Sequence, residues 1–432
     1  MTIESQNDHE NAWGLLKALP EKLWGKVVDV AEKIKKFGED DPRRITHSLK
    51  VGLAVTLISL FYYIRPLYDG FGANSMWAVF TVILVCEFSV GATLGKGLNR
   101  MLATLSAGAL GIGVHSLATL SGDTGRPIIL GFFVFLIAAT VTFARFIPAM
   151  KARYDYGLMI FILTFSLISV SSYRENDQLL VMAYQRLTTI VVGSFTAIVI
   201  CICIRPVWIG ENLNNLVANN MEKLGKSLEG FGGEYFNITE EGPSMDDKSF
   251  LQGYKSVLTS QETEESMANL ARWEVWHFRF GFQHPWKQYL KIGTLCRQCA
   301  YKVDALNSYL NTKIQFQTPS EFQSKIQEPC TKICSESGQA LKELALGLKK
   351  VMNQPTSVNL HIERSKMAAE NLKSLLNTTS LWENDNLQLI IPTGAVALIL
   401  VDIVPYIEKI SEALHELASL AHFKRVDARV SP

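Results

Sequence analysis

Apolar residues fall into two regimes along this chain. Between residues 45 and 204 they form long runs, and from 211 to 432 they recur at helical spacing among polar residues. Six runs approach the ~20 residues that a helix needs to cross a bilayer. They cover about 45–64, 73–90, 94–120, 127–147, 155–172 and 184–204. The turns Pro66–Gly72 and Ser121–Pro127 are short, so the runs predict a compact bundle. The later half predicts helices over 212–230, 286–310, 322–352, 358–377 and 407–423, with loops at 232–250 and 311–320. No strand pattern is legible there. The expected fold is an all-α membrane protein with six transmembrane helices and a cytosolic helical bundle. The boundaries read as an amphipathic cytosolic segment at 1–42, a transmembrane domain at 43–210 and a cytosolic domain at 211–432.

Two stretches fit the pattern less simply. Residues 11–38 set Trp13, Leu16, Leu19, Leu23, Trp24, Val27, Val28, Val30, Ile34 and Phe37 against a lysine-rich face. Such a helix lies on a bilayer surface or docks on the soluble half. Residues 389–404, LIIPTGAVALILVDIV, resemble a further span. The run is short, is interrupted by Pro392 and contains Asp402, so a buried core helix is expected.

Composition sharpens this division. Hydrophobic residues make up 48% and charged residues 19%, against about 25% charged in soluble domains. The net charge of +1 provides no global field for nucleic acid, and none is expected as a partner. The first residues lack the apolar core of a cleavable signal peptide. Lys35, Lys36, Arg43, Arg44, Arg145, Lys151, Arg153 and Arg205 cluster on one side of the six runs. The opposite loops hold Arg65, Arg126 and Arg174 together with Asp69, Asp123, Glu175 and Asp177. Cationic loops stay cytosolic, so both termini are expected there. Cys296, Cys299, Cys330 and Cys334 have spacings that invite a zinc reading. Both pairs sit in amphipathic helical patterns, which favours reduced structural thiols.

The candidate chemistry lies at membrane depth. Residues 91–115 carry Lys96 and Arg100 four residues apart, on one helical face, among Gly91, Gly95, Gly97, Gly108, Gly111 and Gly113. Small residues let neighbouring helices approach closely. A charge at bilayer-centre depth costs about 2.5–3.5 kcal/mol on insertion scales, so such residues usually face a water-filled path. The competing reading has them at a helix end, reaching the headgroups. Arg186 lies just inside the sixth run, where an interface anchor is the alternative. Together the three cations would form a constriction that selects anions, and a two-fold dimer would double each contribution. Glu87 is the obvious counter-charge for Lys96 or Arg100. Asp69, Glu175 and Asp177 would bind a polyvalent cation from outside or simply be solvated loop acids. Gly91-Ala-Thr-Leu-Gly95-Lys96-Gly97 has the wrong spacing and no Ser or Thr for a phosphate loop. No hydrolase, metalloprotease or kinase signature is present, so no enzyme activity and no cofactor are expected. The aromatic and basic stretch 273–301 reads as a packed loop of the helical bundle.

Several of these stretches are characteristic together. MWAVFTVILVCEFSVGATLGKGLNR (76–100), RPVWIGENL (205–213), PWKQYLKIGTLCRQCAYKVDALNSYL (285–310) and SEALHELASLAHFK (411–424) resemble the plant aluminium-activated malate transporters. The resemblance covers essentially 39–424 and is nearest the root malate-efflux branch. More distantly the architecture is similar to bacterial aromatic-acid and fusaric-acid exporters. The resemblance implies a homodimeric, malate-permeable anion channel with a pore at the dimer axis. It places Arg100 and Arg186 in the pore, with Lys96 in the same motif. It also implies extracellular Al3+ as an activator of some members, sensed by acids of which Asp69 matches one. In the loop before the sixth run, Leu and Val stand where those members carry a further acid. The family's Trp-Glu-Pro motif reads Trp273-Glu274-Val275.

The expected function is therefore passive efflux of malate and other small anions through the bilayer of a plant cell. The plasma membrane is the expected location and the tonoplast the alternative. The rival function is a proton-coupled exporter of aromatic or hydrophobic acids, for which Glu87 would have to titrate.

Overall fold

The computed structural model describes residues 26, 28–65, 75–174, 179–236, 252–274, 284–311, 321–351, 356–377 and 387–423. These residues are helical with short connections, and no strand occurs among them. The chain divides into two compact units, one holding residues 1–147 and 154–207, the other 148–153 and 208–432.

The first unit contains α1 (Pro42–Tyr63), α2 (Ser75–Val85), α3 (Val90–Thr119), α4 (Gly122–Ala144), most of α5 (Pro148–Arg174) and α6 (Leu179–Cys203). Residues 28–40 form a further helix before α1. Asp41 starts α1 by accepting the Arg43 N–H through its side chain, with Pro42 at the first helical position. Small residues bring the helices together. Ala54, Ile58, Ala78, Val82 and Ile200 form one core, and Ala107, Val114, Ala118, Leu130 and Phe165 another. A Cβ at Gly193 would stand 2.8 Å from the Ala78 carbonyl, so α6 reaches α2 only because residue 193 is glycine. Outward positions such as Leu49, Phe132, Phe135, Phe143 and Phe195 are exposed and apolar, as lipid requires.

One expected span is shorter than its apolar run. Helix α2 has 11 residues, which reach about 17 Å at 1.5 Å each, against about 30 Å of hydrocarbon. Residues 86–89 leave the helix because Ser89 caps the next one, its hydroxyl accepting the Ala92 N–H at 3.3 Å. The freed backbone groups find partners. The Glu87 N–H donates to Thr93 Oγ1 at 3.0 Å, and the Val90 N–H donates to the Val207 carbonyl at 3.0 Å. Non-helical backbone at membrane depth needs such protein partners.

The second unit is a helical bundle: α7 (Ile209–Phe236), α8 (Gln261–Ala271), α9 (Trp286–Asn311), α10 (Glu321–Lys350), α11 (Thr356–Leu376) and α12 (Leu387–Leu420). A single helical turn, Lys255–Leu258, precedes α8. Helix α7 runs past the expected end at 230 because Phe231, Tyr235 and Phe236 continue its buried stripe. Gly232 marks a close approach to Cys334 of α10, where a Cβ would stand 2.8 Å from the cysteine Cβ. Pro392 does not break the apolar run. Helix α12 is continuous through Pro392 and Pro405 and joins two expected elements. It is long and apolar enough to cross a membrane, yet 56% of its most apolar window is buried inside the unit. Ile390, Val396, Leu400, Ile403, Ile407 and Ile410 make it a core helix. Burial along the whole length outweighs the roughly 3 kcal/mol that an interior proline costs.

Candidate functional site

Each cation of the candidate site is held by an aromatic residue or a carboxylate of the same unit. Lys96 and Arg100 lie one turn apart on α3, a helix opened to close packing by its glycines. A Cβ at Gly97 would meet Ile198 and Val85, and Asn99 lies over Gly157 of α5. Lys96 pairs with Glu87 and stands 5.4 Å from the ring centre of Tyr156. Both partners of that pair are about one-third exposed. Of the two cations open to Glu87 in the sequence, it is Lys96 that takes it.

Arg100 is in a different environment. It is 4% exposed, and its Nη1 donates to the Tyr156 hydroxyl at 3.0 Å. Its Nε is buried without a hydrogen-bond partner among the described residues. A guanidinium carries five donors and is always charged, so a buried one with a neutral partner retains unmet demand for an anion. Arg186, on α6, stacks over Trp77 of α2 with its Cζ 4.1 Å from the ring centre. It is close enough to Arg100 for the two charges to repel. Arg100, Arg186 and Lys96 therefore share one region of the first unit, contributed by α3 and α6. Asp69, Glu175 and Asp177 lie outside the described residues.

Several supporting residues carry no distinct sequence signal. Tyr156, which touches both α3 cations, sits in an ordinary apolar run. Lys50 of α1 is 2% exposed and donates from Nζ to the Arg205 carbonyl at 2.9 Å, just after α6 ends. Arg205 adopts φ +40, and the lysine satisfies the carbonyl at that bend. Arg126, assigned from sequence to a loop, lies in α4 with Nη2 3.5 Å from His115 Nδ1. Arg145 binds Asp155 through two parallel hydrogen bonds, at 2.7 and 3.2 Å.

In the second unit, Glu274 of the altered Trp273-Glu274-Val275 motif is 4% exposed. Its carboxylate accepts the Ile209 N–H at 2.7 Å and the Gly210 N–H at 2.9 Å, at the start of α7. A carboxylate there meets the positive end of the helix dipole. The motif thus fixes the first helix after the last span. Within the aromatic stretch 273–301, residues 275–283 lie outside the described residues. Cys296, Cys299, Cys330 and Cys334 are buried free thiols. Burial pushes Cys299 and Cys330 up to about 12, and pushes Cys296 and Cys334 well up too. No group of three metal-ligating side chains occurs among the described residues.

Comparison with known proteins decides the family. Residues 35–389 match the family described as "Aluminium activated malate transporter". The chain belongs to this family. It is 50% identical over 402 residues to Aluminum-activated malate transporter 2 of Arabidopsis thaliana, covering 92% of this chain and 79% of that one. Identity to Aluminum-activated malate transporter 1 of Triticum aestivum is 42% over 417 residues, covering 95% and 89%. To the Arabidopsis protein named Aluminum-activated malate transporter 1 it is 48% over 405 residues, covering 92% and 81%. As an aluminium-activated malate transporter family member with long apolar helices, the chain is a multi-pass membrane protein. The family match spans the cation cluster on α3 and α6 as well as Glu274.

Proposed function

We propose that this protein carries malate across a plant membrane as a passive anion channel. Its permeation path runs past Arg100 and Arg186, with Lys96 nearby. The observation that carries the reading is Arg100, only 4% exposed with a tyrosine hydroxyl as its hydrogen-bond partner. A buried cation of this kind stabilises a passing carboxylate and can release it, because its resting partner is neutral. Lys96, already paired with Glu87, contributes less. The relatives' names supply malate as the anion.

The proposed assembly is a homodimer in which the cations of both copies face a shared axis. The proposed domain division keeps 1–42, 43–210 and 211–432, with both termini cytosolic and the plasma membrane as the location. A dianion leaving an inside-negative compartment gains about 4.6 kcal/mol per 100 mV, so efflux needs no further energy source. Aluminium as an external activator through Asp69, Glu175 and Asp177 belongs to the same proposal as a separate test.

The test is the reversal potential of the full chain in a planar bilayer under a malate gradient. A channel reverses near the malate equilibrium potential whether or not a pH gradient is added. A reversal potential that moves with the proton gradient would replace this reading with the proton-coupled exporter. Repeating the recording with external aluminium tests activation.

A further inference from the structure

The helix at 28–40 presents an apolar face that stays more than half exposed. Val30, Ile34 and Phe37 are 53%, 65% and 59% exposed. At 100° per residue they fall within about 60° of one another. Lys33, Lys35, Lys36, Glu32 and Glu39 lie outside that arc, as does Val28, 40% exposed. Exposed apolar stripes on a helix mark a partner surface.

The junction with α1 is built, not loose. Phe37 lies under the Arg44 guanidinium, whose Cζ is 3.9 Å from the ring centre. Arg44 Nη1 also donates to the Phe37 carbonyl at 3.4 Å. Gly38 is buried at the corner, where a Cβ would stand 2.8 Å from Ile45 Cδ1. Asp41 then caps α1 from an extended conformation. Exposed apolar positions resume on the first span at Ile45, Leu49 and Leu53, at 52%, 70% and 43%. An exposed apolar surface on α1 thus begins eight residues after Phe37.

We infer that residues 28–40 lie in the headgroup layer of the leaflet where α1 begins, with Val30, Ile34 and Phe37 facing the acyl chains. The occupant of the stripe is the lipid surface. Residues 28–40 carry Lys33, Lys35 and Lys36 against Asp29, Glu32, Glu39 and Asp40, a net charge of −1. Binding then rests on apolar insertion and depends little on anionic lipid, unlike that of a polybasic anchor.

The experiment places an environment-sensitive fluorescent amino acid at Ile34, and separately at Lys36, in the full chain reconstituted in phosphatidylcholine nanodiscs. Brominated phosphatidylcholine should quench the probe at 34 at least about twofold more than the probe at 36, and aqueous iodide should do the reverse. Replacing a third of the lipid with phosphatidylserine should leave this contrast unchanged. Iodide quenching at 34 would mean a solvated helix and would overturn the inference. Protection at 34 from both quenchers would also overturn it, because the stripe would then be packed on protein.

Discussion

At the scale of single residues, the site is a problem of unmatched charge. Arg100 and Glu274 are both only 4% exposed, yet they are satisfied in opposite ways. Glu274 meets two backbone N–H groups, and its demand is closed. Arg100 meets a tyrosine hydroxyl and keeps an Nε without a hydrogen-bond partner among the described residues. The first arrangement holds a structure together, and the second leaves a guanidinium donor unused. Glu274→Ala should therefore lower the stability of the second unit by about 2 kcal/mol, since both bonds are charge-assisted and buried. Thermal unfolding of the full chain in detergent reads this directly, and an unchanged Tm would show that α7 does not depend on the carboxylate. Glu274→Gln, which keeps one acceptor, should fall between. At this scale the sequence is partly legible. Lys96, Arg100 and Arg186 stand out because cations are expensive among apolar residues. Tyr156 and Trp77 do not, because an aromatic residue in an apolar run looks like any core residue. Lys50 sits near the start of its run, where a lysine reads as an interface residue, whereas its ammonium in fact turns inward to Arg205.

At the scale of elements, apolar runs and helices are different objects. The run over 73–90 yields a helix of 11 residues, because Ser89 begins the next helix instead of continuing the last. The opposite happens at α12, where two prolines fail to divide one helix because its neighbours bury both halves. Helix α7 shows the same lesson, since Gly232 serves a close contact with Cys334 and not an ending. Pairing between elements also carries a pH signature. Glu222 of α7 binds Lys226 in its own helix and Lys349 of α10, at 2.7 and 2.6 Å. Its hydrogen bonds to those two ammonium groups hold the carboxyl down to about 2, from an ordinary 4.5. The folded state therefore binds its proton less readily than the unfolded chain. The stabilisation is complete above about 4.5 and is lost as the pH falls toward 2. Because the pair is partly solvated, the effect is modest. The Tm advantage of the native chain over Glu222→Gln should be present at neutral pH and shrink steadily below about 4.5. A difference that stays constant through that window would show that the carboxylate's charge does not join α7 to α10.

At the scale of the whole molecule, the division of labour is legible in the pattern of apolar residues alone. Long apolar runs make one unit and amphipathic helices make the other, and family membership follows from a match over residues 35–389. What the chain does with its expensive cations rests on their environment, which sequence spacing alone does not specify. Glycines bring α3, α5 and α6 close enough for Arg100 to be buried against Tyr156. In the proposed channel, malate passes Arg100 and Arg186. Malate currents of Arg100→Glu and Arg186→Glu, at matched surface expression, test it most directly. Each charge reversal should lower the current at least about tenfold, the cost of roughly 1.4 kcal/mol in a permeating anion's barrier. Currents equal to the unmodified protein in both variants would contradict it.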